Sequence, residues 1–229
     1  MIDRSSPIYQ EAKWRVKIGH AFLEKGHDIK GVVHVGANDG YEVEYYLKLG
    51  IEKVLCFEPY PLAIGLFKQK YASDIESGRV ILIEKGLGAR NERAKLRIAP
   101  DTGQSSSVLR VAEEFRSDSP FKDTEGDLGT VEIDINTWIN FLIEHPTINP
   151  DDYDCLVVDV QGMELDALRG MGTYLKNFKY LNIECSEKAV YEGEARAIEV
   201  VRFLKEAGFH QDTEIEPHND IMFTREDCL

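Results

Sequence analysis

Long apolar runs are missing from this 229-residue chain: no window approaches the roughly 18 consecutive apolar residues that a membrane-spanning helix needs. The stretch Met1 to Gln10 holds no apolar core of the kind a secretory signal carries, so the expected setting is cytoplasmic. Cysteine is sparse. Cys56, Cys155, Cys185 and Cys228 are the only four, no Cys-x-x-Cys pair exists, and the first three lie in apolar, strand-like runs. They read as reduced core thiols rather than a disulfide framework or a metal site. Basic residues are outnumbered, 27 Lys and Arg against 41 Asp and Glu, for a formal net charge of −14. Binding phosphates requires clustered Lys and Arg, so nucleic acid is not an expected partner. Internal repeats and low-complexity segments are also absent.

What remains is ordinary globular composition, 43% apolar and 30% charged, long enough for one α/β domain with a real core. Ser6-Pro7 reads as a helix start, and Ala12, Val16, Ile18, Phe22 and Leu23 recur at helical spacing, giving an N-terminal helical extension over residues 1–30. Buried strands are expected at Gly31–Val35, Lys53–Phe57, Val80–Lys85, Cys155–Val160 and Tyr180–Cys185, where β-branched and aliphatic residues run without alternation. Helices are expected between them at Tyr41–Leu49, Pro61–Tyr71, Thr137–Glu144, Met163–Leu175 (with a break near Gly170 to Gly172) and Glu194–Ala207. Ala94–Ala99 alternates and reads as a more exposed strand, and Thr130–Ile135 resumes strand character. Strands alternating with helices predict a mostly parallel sheet. Phe209–Glu214 and Ile221–Thr224 around Pro217 add a terminal hairpin, hence an antiparallel strand. Residues 100–128 hold no apolar period and are rich in Ser, Asp, Glu and Gly. So long an irregular stretch is either a functional lid, with Ser105, Ser106 and Ser107 as polar contacts, or a solvated loop.

Three places carry chemistry. The first is Gly36-Ala37-Asn38-Asp39-Gly40, between a strand and a helix, where glycines let the backbone approach a ligand. It departs from the dinucleotide fingerprint G-x-G-x-x-G, because Asn38 and Tyr41 occupy two of its glycine positions, so a pyrophosphate has a poor cradle. The second is Glu58, 22 residues after Gly36 and at a strand end, a place from which a carboxylate accepts bonds from both ribose hydroxyls. The third is Asp159 at the end of a buried strand, followed by Gln161, Gly162 and Glu164. Asp159 can hold a cofactor's amino group or act as base; Glu164 either serves chemistry or answers the helix dipole. No tight His or carboxylate spacing supports a metal site.

The set VHVGANDG, FEPYP, VVDVQGMELDALRG, NIECSEKAVYEG and FLKEAGF, in this order from about Val32 to Phe223, resembles the FkbM family of methyltransferases. The resemblance implies a Rossmann-like class I methyltransferase fold whose seven-stranded, mostly parallel sheet ends in an antiparallel hairpin. It implies S-adenosyl-L-methionine as methyl donor and transfer to oxygen, on a sugar, glycan or secondary metabolite. By position, Gly36, Ala37, Asn38 and Gly40 would line the methionine half, Glu58 would bind ribose, Gly86 and Leu87 would border adenine, and Asp159 would face the methionine end or the reacting centre. His34 stands where many relatives carry Asp, and Gln161 where many carry Glu; His34 is kept among the cofactor residues on position alone. An alcohol must lose its proton, and Asp159, Glu164, Glu184 and His34 are the candidate bases.

Three other readings are weighed against this one. A nucleotide-dependent oxidoreductase needs the glycine fingerprint that is incomplete here. A degenerate cofactor-binding module would not need Gly36, Gly40, Glu58 and Asp159 all intact. Methyltransferases of exocyclic base amines carry Asn/Asp-Pro-Pro-aromatic after the fourth strand, where this chain has Asp159-Val-Gln-Gly162.

Overall fold

In the computed structural model, residues 7, 29–101, 103–116 and 129–229 are described. The predicted N-terminal helix and the stretch 117–128 of the predicted lid lie outside them. The strands among the described residues are β1 (Gly31–Val35), β2 (Lys53–Phe57), β3 (Val80–Ile83), β4 (Gly86–Leu87), β5 (Glu92–Arg97), β6 (Thr130–Asn136), β7 (Cys155–Val158), β8 (Tyr180–Ser186), β9 (Phe209–Gln211) and β10 (His218–Arg225), all but β4 near a run the sequence predicts. Among the described residues the α-helices are α1 (Val43–Lys48), α2 (Pro61–Lys70), α3 (Ala72–Glu76), α4 (Trp138–Glu144), α5 (Glu164–Met171) and α6 (Ala197–Glu206).

Seven strands make one sheet in the order β3-β2-β1-β7-β8-β10-β9. The first five in that row are parallel, and β10 runs antiparallel to both β8 and β9. The fold is thus the expected mostly parallel sheet closed by an antiparallel hairpin. The chain builds outward from β1 to β3, then returns to lay β7 on the other flank of β1. Such a reversal leaves a crevice at the carboxyl ends of the strands, which is where α/β sheets receive ligands. Both faces are covered. Val33, Val35, Phe57, Leu156 and Val158 join Trp138, Phe141, Leu168 and Leu204 on one side, and Val32, Val54, Cys56 and Val157 join Tyr46, Phe67 and Tyr71 on the other. Strands buried on both faces have no polar alternation, which is why their sequences read as unbroken apolar runs.

A second sheet, β4-β6-β5, carries its own small core of Leu96, Ile98, Ile133 and Ile135. β4 is the one strand absent from the sequence expectation. Two residues are too few for a periodic signal, and the strand exists because Gly86 and Leu87 pair with Ile135 and Asn136. The helix predicted over Met163–Leu175 divides into α5 and a 3₁₀ turn at Gly172–Asn177, at the glycines where a break was expected. Gly170 permits the closest approach there, since a Cβ on it would stand 2.0 Å from the Gly88 carbonyl oxygen. α6 begins at Ala197 rather than Glu194. The Glu194 carboxylate is engaged instead by the backbone N–H groups of Val190 and Tyr191, at 2.6 and 2.9 Å.

Candidate active site

Strand register brings the chemistry into one row. Val35 is paired with Phe57 on one flank and Val158 on the other, and Val158 with Ile183. The next residue on each strand is therefore Glu58, Gly36, Asp159 and Glu184, in that spatial order across the sheet. At about 4.8 Å between strands, the row spans about 14 Å from Glu58 to Glu184. A cavity of about 820 Å³ opens over it, and all four residues line it. The walls come from the turn after β1 (Ala37, Asn38, Asp39), from Tyr60, Gly86 and Leu87, and from the second sheet through Leu96, Ile133 and Ile135. The segment 103–108 with Phe115 closes one side, and Glu187, Lys188 and Val190 another.

Glu58 is only 6% exposed. Its two oxygens each accept one backbone N–H, from Asn38 at 2.8 Å and from Tyr60 at 2.7 Å. Burial pushes its carboxyl up to about 7, opposed by those two N–H groups and reinforced by Asp159. Asn38 reaches Glu58 with φ at 48°, a left-handed conformation asparagine tolerates better than most residues. Gly36 has φ 85°, and a Cβ there would stand 1.7 Å from the Asp159 carbonyl oxygen, so β1 and β7 can end this close only with glycine.

Asp159 and Glu184 meet through Gln161. Its side-chain nitrogen lies 2.6 Å from one oxygen of Asp159 and 3.0 Å from one of Glu184, and its amide oxygen accepts from the Tyr191 hydroxyl at 2.9 Å. Tyr191 also reaches the Ser105 carbonyl at 3.0 Å, which ties the 103–116 segment to the same cluster. Ala112 N–H to the Val190 carbonyl and Glu192 N–H to the Arg110 carbonyl, at 2.9 and 2.7 Å, fasten that segment further. Among the described residues lining the cavity, acids outnumber cations. Asp39, Glu42, Glu58, Asp159, Glu184 and Glu187 face a single cation, Lys188.

Three expected site residues do not line the cavity. His34 is 1% exposed on β1, with Nδ1 3.1 Å from the Tyr46 hydroxyl and Nε2 3.4 Å from a Glu42 oxygen. It stands behind Glu42, which does face the cavity, because strand alternation turns position 34 toward α1. Gly40 makes a tight turn instead, its carbonyl accepting from the Tyr71 hydroxyl at 2.6 Å. Glu164 is 3% exposed. Its carboxylate receives the N–H groups of Val160 and Gly162 at 3.0 to 3.1 Å, and burial pushes it up to about 8. It shapes the loop that holds Gln161. Of the three serines, Ser105 and Ser106 line the cavity, while the Ser107 hydroxyl is turned away to the Gln161 carbonyl at 2.6 Å. Sequence reasoning passed over Glu42, Tyr60 and Tyr191. Tyr191 sat in a quoted motif, but only the long-range contact to Ser105 gives it a role.

The family model described as "Methyltransferase FkbM domain" matches residues 34–210. The chain belongs to the FkbM methyltransferase family. One relative, the 2-O-methyltransferase NoeI of Sinorhizobium fredii, is 23% identical over 180 residues, covering 76% of this chain and 70% of that protein. The crystal structure of the FkbM methyltransferase from Methylobacillus flagellatus superposes with a TM-score of 0.57 at 13% identity, over 95% of this chain. This chain spans 58% of the length of that one. The shared fold is the class I methyltransferase fold, and membership of the FkbM family makes the strand-end row its candidate methyl-transfer site.

Proposed function

We propose that this FkbM-family chain is an S-adenosylmethionine-dependent O-methyltransferase that acts on a hydroxyl of a sugar, a glycan or a similar polyhydroxylated small molecule. The observation that carries this reading is the acid row at the strand ends. A diol at one end and a cationic ammonium and sulfonium at the other fit a row that runs from Glu58 to Asp159 and Glu184. A pyrophosphate does not, because it would meet carboxylates where it needs N–H groups or cations. The likeness to a 2-O-methyltransferase supports oxygen as the acceptor atom.

When bound, S-adenosylmethionine supplies a methyl group on a positively charged sulfur, which leaves as a neutral thioether. The chain's own residues do the rest. Glu58, already held by two N–H groups, keeps free lone pairs for the two ribose hydroxyls. Gly86 and Leu87 border the adenine, with Leu87 supplying apolar contact. Asp159, one strand from β1, attracts the methionine ammonium. Glu184, one strand farther out and beside the walls at Glu187 and Val190, takes the proton from the acceptor hydroxyl as its oxygen forms the new bond to carbon. Tyr60, Val108 and Phe115 give the acceptor apolar walls that exclude water. The 103–116 segment forms one side of an acceptor lid. Four free thiols support a reducing, cytoplasmic setting.

Calorimetry with S-adenosylhomocysteine tests the reading, with NADH as control and Glu58→Ala alongside. Removing two hydrogen bonds to a charged group costs about 3 kcal/mol, more than a hundredfold in Kd. Binding of S-adenosylhomocysteine that collapses in Glu58→Ala is the expected result. Binding of NADH instead would move the protein to the oxidoreductases, and binding without any transfer to a panel of hydroxylated glycans would favour a cofactor-binding module.

A further inference from the structure

The cavity sorts its polar groups by wall. Along the strand ends stand Glu58, Asp159 and Glu184, which only accept hydrogen bonds when ionised. The wall made by segments 103–108 and 187–190 adds groups that can donate: the Gln104 amide, the Ser106 hydroxyl and the Lys188 ammonium. Ser106 Oγ accepts the Ala99 N–H at 3.0 Å and so keeps its own proton to give. Glu187 is the one carboxylate on that wall among the described residues.

Lys188 is set apart by what it does not touch. Lys85 pairs with Glu144, and Arg116 with Glu192, at 2.9 Å each. Lys188 forms no ion pair and no side-chain hydrogen bond, although Glu187 precedes it and Glu184 lines the same cavity. Its backbone is fixed on both sides. The Glu187 N–H donates to the Pro217 carbonyl at 3.2 Å, and the Val190 N–H to the Glu194 carboxylate at 2.6 Å. Lys188 lies two residues beyond the end of β8, and Pro217 just before β10, the next strand out. The ammonium is therefore carried at the end of the acid row farthest from Glu58.

We propose that Lys188 binds a carboxylate of the acceptor, which makes the hydroxylated substrate an acidic sugar of the uronic acid kind. The substrate class rests on the methyltransferase reading; the binding of a carboxylate at Lys188 does not. A neutral sugar has no use for a cation, because its hydroxyls are served by carboxylates, amides and hydroxyls. An ammonium enclosed with a substrate and cut off from water is costly unless an anion meets it. One ammonium balances one negative charge. That suits a carboxylate better than a phosphate dianion, whose second charge would stand uncompensated among the cavity's acids. The carboxylate of the methyl donor is the other anion to consider. It belongs with the methionine half, near Gly36 and Asp159, whereas Lys188 lies beyond Glu184 on the acceptor side.

The test measures direct binding to the full chain, without cofactor, by ligand-observed NMR titration. The probes are the methyl glycosides of glucuronic, galacturonic and mannuronic acid, each set against its neutral counterpart, which carries a hydroxymethyl group in place of the carboxylate. At least one acid should bind about tenfold more tightly than its neutral partner, the effect of one hydrogen bond to a charged group. That preference should shrink with added salt. It should vanish in Lys188→Met, which keeps the length of the side chain, and reverse in Lys188→Glu. The side chain is exposed, so neither change disturbs the core. No preference for any acid in wild type overturns the proposal, and so does a preference that survives Lys188→Met. In parallel, calorimetry with S-adenosylhomocysteine should give affinities within about twofold for wild type and Lys188→Met. A tenfold loss there, with the acid preference intact, would give Lys188 to the cofactor's carboxylate and also overturn the proposal. If wild type does not bind S-adenosylhomocysteine at all, the methyltransferase reading fails, and the cofactor-free titration still decides the role of Lys188.

Discussion

The two halves of the cavity are built differently. The half over β1 and β2 is made of strand ends and the turn between β1 and α1, with Glu58 and Gly36 placed by a register that runs through the buried sheet. The half over β8 is made of segments 103–116 and 187–191, clasped by a few hydrogen bonds between residues far apart in sequence. Rigid, deeply buried elements suit a ligand of fixed shape. Segments held by a few long-range bonds can be re-cut without disturbing the sheet, which suits the proposed acceptor side.

The largest difference should come from adding one methyl group to each half. Gly36→Ala puts a Cβ against the Asp159 carbonyl at positive φ and should cost about 3 kcal/mol or more, with loss of S-adenosylhomocysteine binding. Gly103→Ala, in segment 103–116, also sits at positive φ, 89°, but its added carbon meets only side-chain atoms, nearest the Tyr60 ring at 2.6 Å, which can shift, so a smaller loss of about 1 to 2 kcal/mol applies. Urea denaturation of both variants checks this, and equal losses would show that the two halves are equally tight.

A smaller, tenfold effect should separate the halves by pH. Glu58 has its carboxyl raised from 4.5 to about 7, chiefly by burial. The folded chain therefore holds that proton more tightly than the unfolded chain, and this group makes the ligand-free fold less stable as pH rises from about 4.5 to about 7. A ligand whose two hydroxyls donate to the carboxylate needs the ionised form. Its affinity should be full above about pH 8 and about tenfold weaker at pH 6. Glu58→Gln should bind weakly and without that pH dependence. Calorimetry at both pH values makes the comparison, and a pH-dependence that survives Glu58→Gln would assign it to another group.

The same contrast explains what was legible in the sequence. The place of Glu58 and Asp159 at the cavity was readable because an apolar run ends just before each, and the carboxyl ends of parallel strands border the crevice of such a sheet. His34 was expected in the site by position, and its side chain lies outside the cavity although its neighbours Val35 and Gly36 line it; alternation along β1 decides this, and an unbroken apolar run hides alternation. Glu164 also lies outside the cavity, and for a different reason. Its place at the start of α5 is the same for a catalytic acid and for one that accepts loop N–H groups, and the bonds from Val160 and Gly162 are visible only in the structure. β4 and the role of Tyr191 depend on partners more than 45 residues away, Ile135 and Ser105, and local pattern carries no trace of such pairings.

The smallest expected effect falls on the looser half alone. Tyr191→Phe removes the hydroxyl that donates to the Ser105 carbonyl and the Gln161 amide oxygen but keeps the ring. Losing one shared donor costs about 1 kcal/mol, about fivefold in a local opening equilibrium. That loss should appear where the clasp is. Amide hydrogen exchange should quicken about fivefold at Ala112 and Glu192, whose N–H groups join segments 110–112 and 190–192, and stay unchanged at Gly36 and Glu58, whose N–H groups bond to Phe57 and Ile83 inside the sheet. S-adenosylhomocysteine affinity should stay within about twofold, because none of the groups assigned to the ribose or adenine touches Tyr191. If exchange quickened equally at Gly36, the two halves would open as one unit, and the acceptor side could not be varied independently of the cofactor side.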